Sequence, residues 1–190
     1  MDPKGNPKTD LSRFDNAWFD EGASKFKWAL WFLASAAFVI NPYNPFNSLR
    51  KIVLRLFGAK IGKGVIIKHR VVVKFPWNLE IGDHTWIGEA VWIENQGKVK
   101  IGANCCLSQG VVLMTGNHNY KLPTFDLIVQ PITLEDGVWL GATSTVTQGV
   151  TCHSHAVLGV LSVASKDLEA YTIYGGNPCV VLRKREMSPA

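Results

Sequence analysis

The chain has 190 residues, 47% of them hydrophobic and 18% charged, with a formal net charge of +5. This length is enough for one domain with a sizeable core, and the composition is too apolar for a disordered chain. The four cysteines form no CxxC pair, which argues against a zinc ribbon and favours free thiols in a reducing compartment. The positive charge suits a polyanionic ligand, nucleic acid or a membrane surface, and does not choose among them.

The first elements are helical. Residues 1–25 mix proline, glycine and polar residues, which predicts an irregular segment without a signal peptide. The apolar run from Trp28 to Ile40 predicts a helix over 26–40, but it is shorter than the ~20 residues that span a bilayer. We expect this helix to pack on the domain, with a membrane surface as the alternative, where Lys25 and Lys27 suit anionic lipid.

A second helix is predicted at 46–57. The prolines in the segment 41–45 must end the first helix, because proline lacks a backbone donor and restricts the residue before it. The glycine at position 58 suits a C-terminal cap. The second helix is predicted from apolar residues that fall on one face: Leu49, Ile52, Val53 and Leu56.

From residue 61 the sequence pattern changes to a period of six, with an inward-type residue that is often followed by glycine. The recurring residues are Ile61, Ile67, Ile81, Ile87, Ile93, Ile101, Leu107, Leu113, Leu134, Leu140, Val146, Cys152, Leu158, Ala164 and Ala170. Repetition at a fixed period is typical of a β-helix, in which each repeat forms a short strand and a corner. We therefore predict an N-terminal segment over 1–58 and a parallel β-helix domain over 59–190, with roughly five to six coils.

Two insertions interrupt the repeat. The segment 74–79 contains Pro76 and predicts a bulged corner, whereas Gly116 to Pro131 is a much longer loop. Long loops within a compact repeat are usually functional, and His118 lies at the start of this one. We expect the remaining histidines to be solvated at corners or on outer faces: His69, His84, His153 and His155.

Short motifs then resemble a known family over nearly the whole chain. They are Leu11 to Phe19, Leu54 to Gly62, Phe75-Pro-Trp77, Thr115 to His118, Gln130-Pro-Ile132, and Gly175 to Cys179 followed by Arg183. Together they resemble the hexapeptide-repeat acyltransferases, and among these the exopolysaccharide O-acetyltransferases of the colanic acid type. The resemblance implies a left-handed coil and a cytoplasmic homotrimer with active sites between subunits. It also implies acetyl transfer from acetyl-CoA to a sugar hydroxyl of a polysaccharide or its lipid-linked precursor.

The resemblance assigns His118 as the general base, because imidazole with an unperturbed pKa near ~6.5 can accept the hydroxyl proton. Glu94 is a candidate to orient the imidazole, with a solvated corner carboxylate as the alternative. The coenzyme residues implied are Trp139 near the thioester, the backbones of Gly141, Ala142 and Val160 along the pantetheine arm, and Ser165, Lys166 and Arg183 at the nucleotide end. For Arg183 to Arg185 a solvated tail is the alternative reading.

Acceptor recognition is expected to differ from that of the relatives that act on galactosides and maltose. Their acceptor-binding asparagine aligns with Gly88, and their compact N-terminal helical domain has no match in this sequence. The candidates for acceptor contact are therefore Glu89, Glu94 and Asn95, or the long loop itself.

Three alternative functions are compatible with a repeat of this kind. A zinc enzyme of the γ-carbonic anhydrase kind needs paired histidines five residues apart, but Leu122 and Pro123 occupy the positions after His118. No metal is therefore expected. A β-helical scaffold would not need a loop that carries a histidine, nor the ending Gly-Asn-Pro with Arg183. An acetyltransferase for an amino sugar or a small xenobiotic keeps the same chemistry, and no nucleic-acid partner is expected.

Overall fold

The computed structural model describes residues 5–189. The N-terminal segment is irregular except for a short 3-10 helix at Leu11–Arg13. Helix α1 (Lys25–Ala34) is capped by the Ser24 hydroxyl and continues into a π-helical segment (Ser35–Ile40). Helix α2 (Asn47–Leu56) follows after a turn. Both predicted helices are confirmed, and residues 1–4 of the predicted irregular segment lie outside the described residues.

Short strands make up the rest of the described chain. They are β1 (Lys60–Ile61), β2 (Ile66–Ile67), β3 (Val72–Val73), β4 (Leu79–Ile81), β5 (Trp86–Ile87), β6 (Trp92–Glu94), β7 (Val99–Ile101), β8 (Cys106–Leu107), β9 (Val112–Met114), β10 (Gly116–His118), β11 (Leu127–Val129), β12 (Ile132–Leu134), β13 (Trp139–Leu140), β14 (Thr145–Val146), β15 (Thr151–Cys152), β16 (Val157–Leu158), β17 (Val163–Ala164), β18 (Thr172–Gly175) and β19 (Val180–Lys184).

Apart from β10 and β11, the strands belong to three sheets, which form the faces of a prism. Sheet 1 has the order β1-β4-β7-β12-β15, sheet 2 has β2-β5-β8-β13-β16-β18-β19, and sheet 3 has β3-β6-β9-β14-β17. Apart from the antiparallel β18–β19 pair, neighbouring strands within these sheets are parallel. The chain thus winds through about six turns of a parallel β-helix, as the repeat predicts.

The predicted inward residues form the core. From Ile67 to Ala164 every recurring residue is buried, and so are most residues four positions later, such as Val91 and Ser144. The prediction is wrong at Ala170, which is exposed. Leu168 is buried instead and bridges to Cys152. The last turn is therefore two residues shorter than the repeat predicts, because 16 residues separate Cys152 from Leu168 where 18 separate Leu134 from Cys152.

Helix α2 contacts the first coil of the β-helix, and at the other end the exposed strand β19 extends sheet 2. At the first coil, the Asn47 side chain donates to the Val65 carbonyl at 3.2 Å and accepts from the Ile67 N–H at 2.8 Å. At the other end, β19 pairs antiparallel with β18.

The predicted apolar face of α2 is only partly buried. Val53 is buried, whereas Ile52 and Leu56 are exposed.

Two smaller sequence predictions also have a local outcome. The bulged corner is a 3-10 helix at Pro76–Asn78, which begins with proline in a position that needs no donor. Gly58 follows α2 with a φ of 110°, a conformation that favours glycine. Within residues 5–189, no helix has the length and apolar character to cross a bilayer.

The shortened last turn can be tested by a pair of substitutions. Leu168→Ala should lower the free energy of unfolding by about 2–5 kcal/mol, because it opens a cavity in the core. Ala170→Leu should change it by less than about 0.5 kcal/mol, because the side chain points to solvent. Urea denaturation at fixed protein concentration measures both. The reverse order would mean that the six-residue phase continues to Ala170.

Candidate active site

Backbone hydrogen bonds join the two ends of the long loop where it leaves and rejoins the β-helix. Buried Thr115 donates its N–H to the Glu94 carbonyl and accepts the Gln130 N–H at its own carbonyl, both at 3.0 Å. Its hydroxyl accepts a hydrogen bond from the Gly97 N–H at 2.9 Å. Strands β10 and β11 then pair antiparallel along the loop. The insertion is therefore a hydrogen-bonded hairpin whose two ends meet without disturbing the coil.

The hairpin fixes both the position and the tautomer of His118. The imidazole stacks on the Phe125 ring at 4.5 Å between centroids and tilts against Phe14 at 5.6 Å. Its Nδ1 lies 2.9 Å from the Phe125 carbonyl oxygen. Because a carbonyl can only accept, Nδ1 carries the proton in the neutral ring and Nε2 keeps its lone pair. The geometry therefore presents Nε2 as a base.

Phe125 holds this carbonyl with a φ of 54°, in the left-handed region that residues other than glycine rarely adopt. Eight other described residues besides glycine share this conformation, among them Ala90 and Thr143 at corners of the coil, so the φ value alone does not mark a site. Sequence reasoning missed Phe125, because it acts through its backbone carbonyl and its side-chain type carries no signal for that role.

A cavity of about 460 Å³ lies beside the imidazole, and we call it the His118 cavity. Its wall includes Phe14, Asn16, Gln96, Asn117 and the ion pair of Lys74 with Glu94. The cavity thus combines an aromatic ring with amide and charged groups, which suits a ligand that is rich in hydroxyls.

The N-terminal segment forms part of this cavity. The Asp10 N–H donates to the Pro123 carbonyl at 2.8 Å, which ties the segment to the long loop. Phe14 and Asn16 follow and line the His118 cavity. Sequence reasoning did not single out either residue, although both lie in the segment Leu11 to Phe19 that carries the family resemblance.

Glu94 does not orient the imidazole, so that expectation is wrong. Its carboxylate lies 2.8 Å from Lys74 Nζ and accepts a hydrogen bond from the Gly116 N–H at 3.3 Å. The hydrogen-bond partner of His118 Nδ1 is the Phe125 carbonyl instead. The alternative of a solvated corner is also wrong, since the side chain is only 16% exposed. Glu94 remains a wall residue of the His118 cavity and a candidate for acceptor contact.

The other two acceptor candidates lie elsewhere. Asn95 is fully buried, and its amide donates to the Phe75 carbonyl at 2.6 Å and accepts the Phe75 N–H at 2.9 Å. It therefore supports the coil and has no free group for a substrate, which corrects the prediction. Glu89 lines a second cavity of about 430 Å³ beside Gly88, and it contacts His69 Nδ1 at 3.3 Å. That cavity lies at the corner between sheets 2 and 3.

Two of the predicted coenzyme residues lie on one row of sheet 2. Trp139 is paired directly with Val157, Val157 with Ile173, and Ile173 with Arg183. We call these four residues the coenzyme row. Directly paired residues project from the same face, so Trp139 and Arg183 lie roughly 14 Å apart, three strand spacings, along the β-helix axis. The Trp139 indole donates to the Ser108 hydroxyl at 3.1 Å, which fixes its ring.

Arg183 differs from its two basic neighbours. Lys184 contacts Glu169 and Thr172, and Arg185 donates to two backbone carbonyls. Within the part of the chain that the structure describes, the exposed Arg183 side chain makes no hydrogen bond or ion pair. The guanidinium is therefore available for an external anion.

Gly141, at the corner beside the coenzyme row, was predicted to offer its backbone to the pantetheine arm, but its N–H is already bonded to the next coil. Its N–H donates to the Leu158 carbonyl at 2.7 Å, and an added Cβ would lie 2.6 Å from the Val160 nitrogen. The next coil therefore requires this glycine, and its N–H is not available for a pantetheine arm. The N–H groups of Ala142 and Val160 donate no hydrogen bond within residues 5–189 and retain the predicted role.

Ser165 and Lys166 lie at the next corner, where they line a separate cavity of about 520 Å³. Their cavity and the His118 cavity share no lining residue, and neither includes a residue of the coenzyme row. Ser165 and Lys166 lie at the corner between sheets 3 and 1, as the long loop does, whereas the coenzyme row lies on sheet 2.

The cysteines are poor candidates for a nucleophile. Burial raises the pKa of the Cys105 thiol to about 11, and burial also raises the pKa of Cys152, Cys106 and Cys179. A thiol reacts as its thiolate, so these shifts disfavour covalent catalysis. Among residues 5–189, no group of three His, Cys, Asp or Glu side chains is arranged to hold a metal ion.

The structural role of Asn95 can be separated from a role in substrate binding. Asn95→Ala should lower the free energy of unfolding by about 1–3 kcal/mol, because the Phe75 N–H and carbonyl lose their buried partner. The KM for the acceptor should stay unchanged in steady-state kinetics below the unfolding temperature. A raised KM with unchanged stability would return Asn95 to the acceptor site.

Comparison with known proteins supports one family. No protein-family model matches the chain. WcaF of Escherichia coli K12, named as a colanic acid biosynthesis acetyltransferase, is 36% identical over 176 residues, which cover 93% of this chain and 97% of WcaF. Galactoside O-acetyltransferase of Escherichia coli K12 is 26% identical, over 71% of this chain and 68% of its own length.

Among solved structures, a hexapeptide-repeat acetyltransferase of Vibrio cholerae, complexed with acetyl coenzyme A, superposes with a TM-score of 0.78 at 24% identity. The superposition covers 87% of this chain and 92% of the Vibrio chain, and it supports the same fold. Given the extent and identity of the WcaF match, the chain belongs to the hexapeptide-repeat acetyltransferases, in the group of the colanic acid biosynthesis enzymes.

Proposed function

We propose that the chain transfers an acetyl group from acetyl-CoA to a sugar hydroxyl, in a polysaccharide repeat unit or its lipid-linked precursor. The observation that carries this proposal is the His118 imidazole, whose Nδ1 is 2.9 Å from the Phe125 carbonyl, so that Nε2 is free to accept a proton. The names of WcaF and of the galactoside enzyme support transfer to a sugar, and the acetyl-CoA in the Vibrio structure supports the donor.

The residues of the site suggest how the chain assists this reaction. Acetyl-CoA supplies an acetyl group that is already activated as a thioester. His118 Nε2 takes the proton of the attacking hydroxyl, which is a poor nucleophile while it keeps that proton. The Phe125 carbonyl stabilises the resulting imidazolium through the Nδ1–H bond. His118 then returns the proton to the leaving sulfur, and the ring is ready for another cycle.

The His118 cavity fits a sugar as the acceptor. Phe14 offers an aromatic face for the apolar side of a sugar ring, and Asn16, Gln96 and Asn117 offer amide donors and acceptors for its hydroxyls. Glu94 offers a carboxylate on the same wall. We infer that these groups replace the asparagine that the galactoside and maltose relatives carry at the position of Gly88.

We further infer that the complete site forms between subunits of a homotrimer. The His118 cavity lies at the corner between sheets 3 and 1, whereas the coenzyme row lies on sheet 2. A neighbouring copy could bring the two surfaces together, and a closed cyclic trimer repeats that contact at each interface.

We also infer that the protein acts in the cytoplasm at a membrane surface. The exposed apolar side chains of Phe26 and Leu33 on α1 support contact with such a surface.

Coenzyme binding is tested by thermal unfolding against acetyl-CoA concentration. At 100 times the dissociation constant, a ligand of the folded state alone adds about 2.7 kcal/mol of stability. Arg183→Ala should need a higher acetyl-CoA concentration for the same shift, since it removes a phosphate partner. Lys184→Ala is the matched control and should behave like the wild type. No shift in any of the three proteins at millimolar acetyl-CoA would contradict the proposed donor.

The shared site is tested by mixing two defective subunits. His118→Ala should lower kcat by about 10²–10⁴-fold, and Arg183→Ala should raise the KM for acetyl-CoA. In trimers assembled from equal amounts of both variants, about a quarter of the interfaces would combine an intact His118 with an intact Arg183 of the neighbour. Activity at low acetyl-CoA should therefore rise above that of either variant alone. Activity equal to the average of the two variants would contradict a site between subunits.

A further inference from the structure

The helix formed by α1 and the π-helical segment carries more apolar surface than the β-helix covers. Only one stripe of it is buried, which consists of Trp31, Ser35 and Val39. Apolar side chains on its other sides are exposed: Phe26, Trp28, Leu30, Phe32, Leu33 and Phe38. Isolated exposed apolar residues are ordinary, but a contiguous apolar surface of this kind usually marks a binding site.

Part of this surface forms a groove of about 310 Å³ between the helix and the outer face of sheet 3. We call it the apolar groove. Trp28, Phe32 and Ala36 line it from the helix, and Val72 and Trp92 line it from the sheet. The small Ala36 leaves room between the larger side chains, and the π-helical turn in which it lies is often found at functional sites.

Trp31, at the floor of the apolar groove, has no free polar group for a ligand. Its indole N–H donates to the Val73 carbonyl at 3.1 Å, so the one polar atom of that side chain is satisfied internally. The Ser35 hydroxyl likewise donates to the Phe32 carbonyl at 3.0 Å. A ligand in this part of the groove would therefore gain from contact with hydrocarbon rather than from hydrogen bonds.

The apolar groove adjoins the His118 cavity. Lys74 and Glu94, paired at 2.8 Å, line both of them. On one side of this ion pair lie tryptophan and aliphatic side chains, and on the other side lie His118 and the amides of the cavity wall. A single molecule that occupied both would need a polar head and an apolar chain.

We propose that the apolar groove binds the hydrocarbon chain of a lipid-linked sugar acceptor while the sugar occupies the His118 cavity. This inference rests on the proposed function, because it assigns the substrate class of that site. The volume lies at the lower end of the roughly 300–1,000 Å³ that is usual for small-molecule pockets. It therefore suits the first part of a chain whose remainder extends beyond the groove.

The test uses dodecyl maltoside with bromine atoms on its alkyl chain, below the concentration at which it forms micelles. Bromine quenches the fluorescence of a tryptophan that it contacts, and Trp28, Trp31 and Trp92 line the apolar groove. We expect saturable quenching without acetyl-CoA. Trp92→Phe should reduce the quenched amplitude. Trp86 is an exposed strand tryptophan that does not line the groove, so Trp86→Phe should lower the total fluorescence and leave the quenched amplitude unchanged.

Two substitutions on one helix then test the position of the chain. Ala36→Phe fills the apolar groove and should weaken binding about tenfold, since at least two methylene groups lose their contact. Leu33→Phe enlarges an exposed side chain that does not line the groove, and it should bind like the wild type. Both variants should keep the melting temperature and the assembly mass of the wild type.

Three results would overturn the proposal. They are the absence of saturable quenching, equal weakening by Leu33→Phe, and loss of the assembly in Ala36→Phe, which would make the groove a contact between copies. The binding assay uses neither acetyl-CoA nor acetyl transfer. A protein that binds acetyl-CoA but fails this test would therefore keep the proposed function and lose only the proposed acceptor class.

Discussion

The stacking of one coil on the next is the constraint on which the rest of this structure depends. Each coil hydrogen-bonds to its neighbours through its backbone, so successive corners approach closely. At Gly82 and Gly102, an added Cβ would lie 2.6 Å and 2.4 Å from atoms of the following coil. Side chains can project inward into a narrow core or outward from flat faces, and neither position encloses a polar reaction. A site must therefore be built from corners, from insertions and from segments that lie against the outside.

The long loop meets this constraint because hydrogen bonds hold its two ends together at the coil. Thr115 contacts the preceding coil and the returning strand, so the coil continues as if the insertion were absent. The hairpin can then supply what the coil lacks, which is a carbonyl aimed at an imidazole. His118 depends on this arrangement twice, once for the stack on Phe125 and once for its tautomer. A more flexible loop would leave the proton free to occupy either nitrogen.

The repeating part of the fold could be predicted from the sequence because a period of six is enforced at every coil. The prediction failed at Ala170, where the last turn has no complete coil above it to impose the same length. It failed at Asn95 because a polar residue inside the repeat is equally consistent with a ligand contact or with a buried pair, here with Phe75. Corner glycines are ambiguous in the same way, because a glycine there can serve a ligand or the close approach of the next coil. At Gly141 it serves the next coil.

The candidate site was less predictable, because its parts come from distant segments and from the backbone. His118 could be identified by its place on the inserted loop, and its partner at Nδ1 could not, since any residue offers a carbonyl. Phe14 reaches the imidazole only because the Asp10 N–H fixes the N-terminal segment to the loop at Pro123. Contacts of this kind depend on the three-dimensional course of an irregular segment, which leaves no periodic signal in the sequence.

The ion pair of Lys74 and Glu94 joins the two chemically different halves of this surface. Either charge alone would be costly beside the apolar groove, since the Glu94 side chain is only 16% exposed. Glu94 is paired with Lys74 and also accepts the Gly116 N–H, so its carboxylate has polar partners at the boundary. The two residues therefore separate the apolar groove from the polar wall of the His118 cavity. An amphiphilic acceptor would cross that boundary once, with its polar part held where His118 Nε2 can reach a hydroxyl.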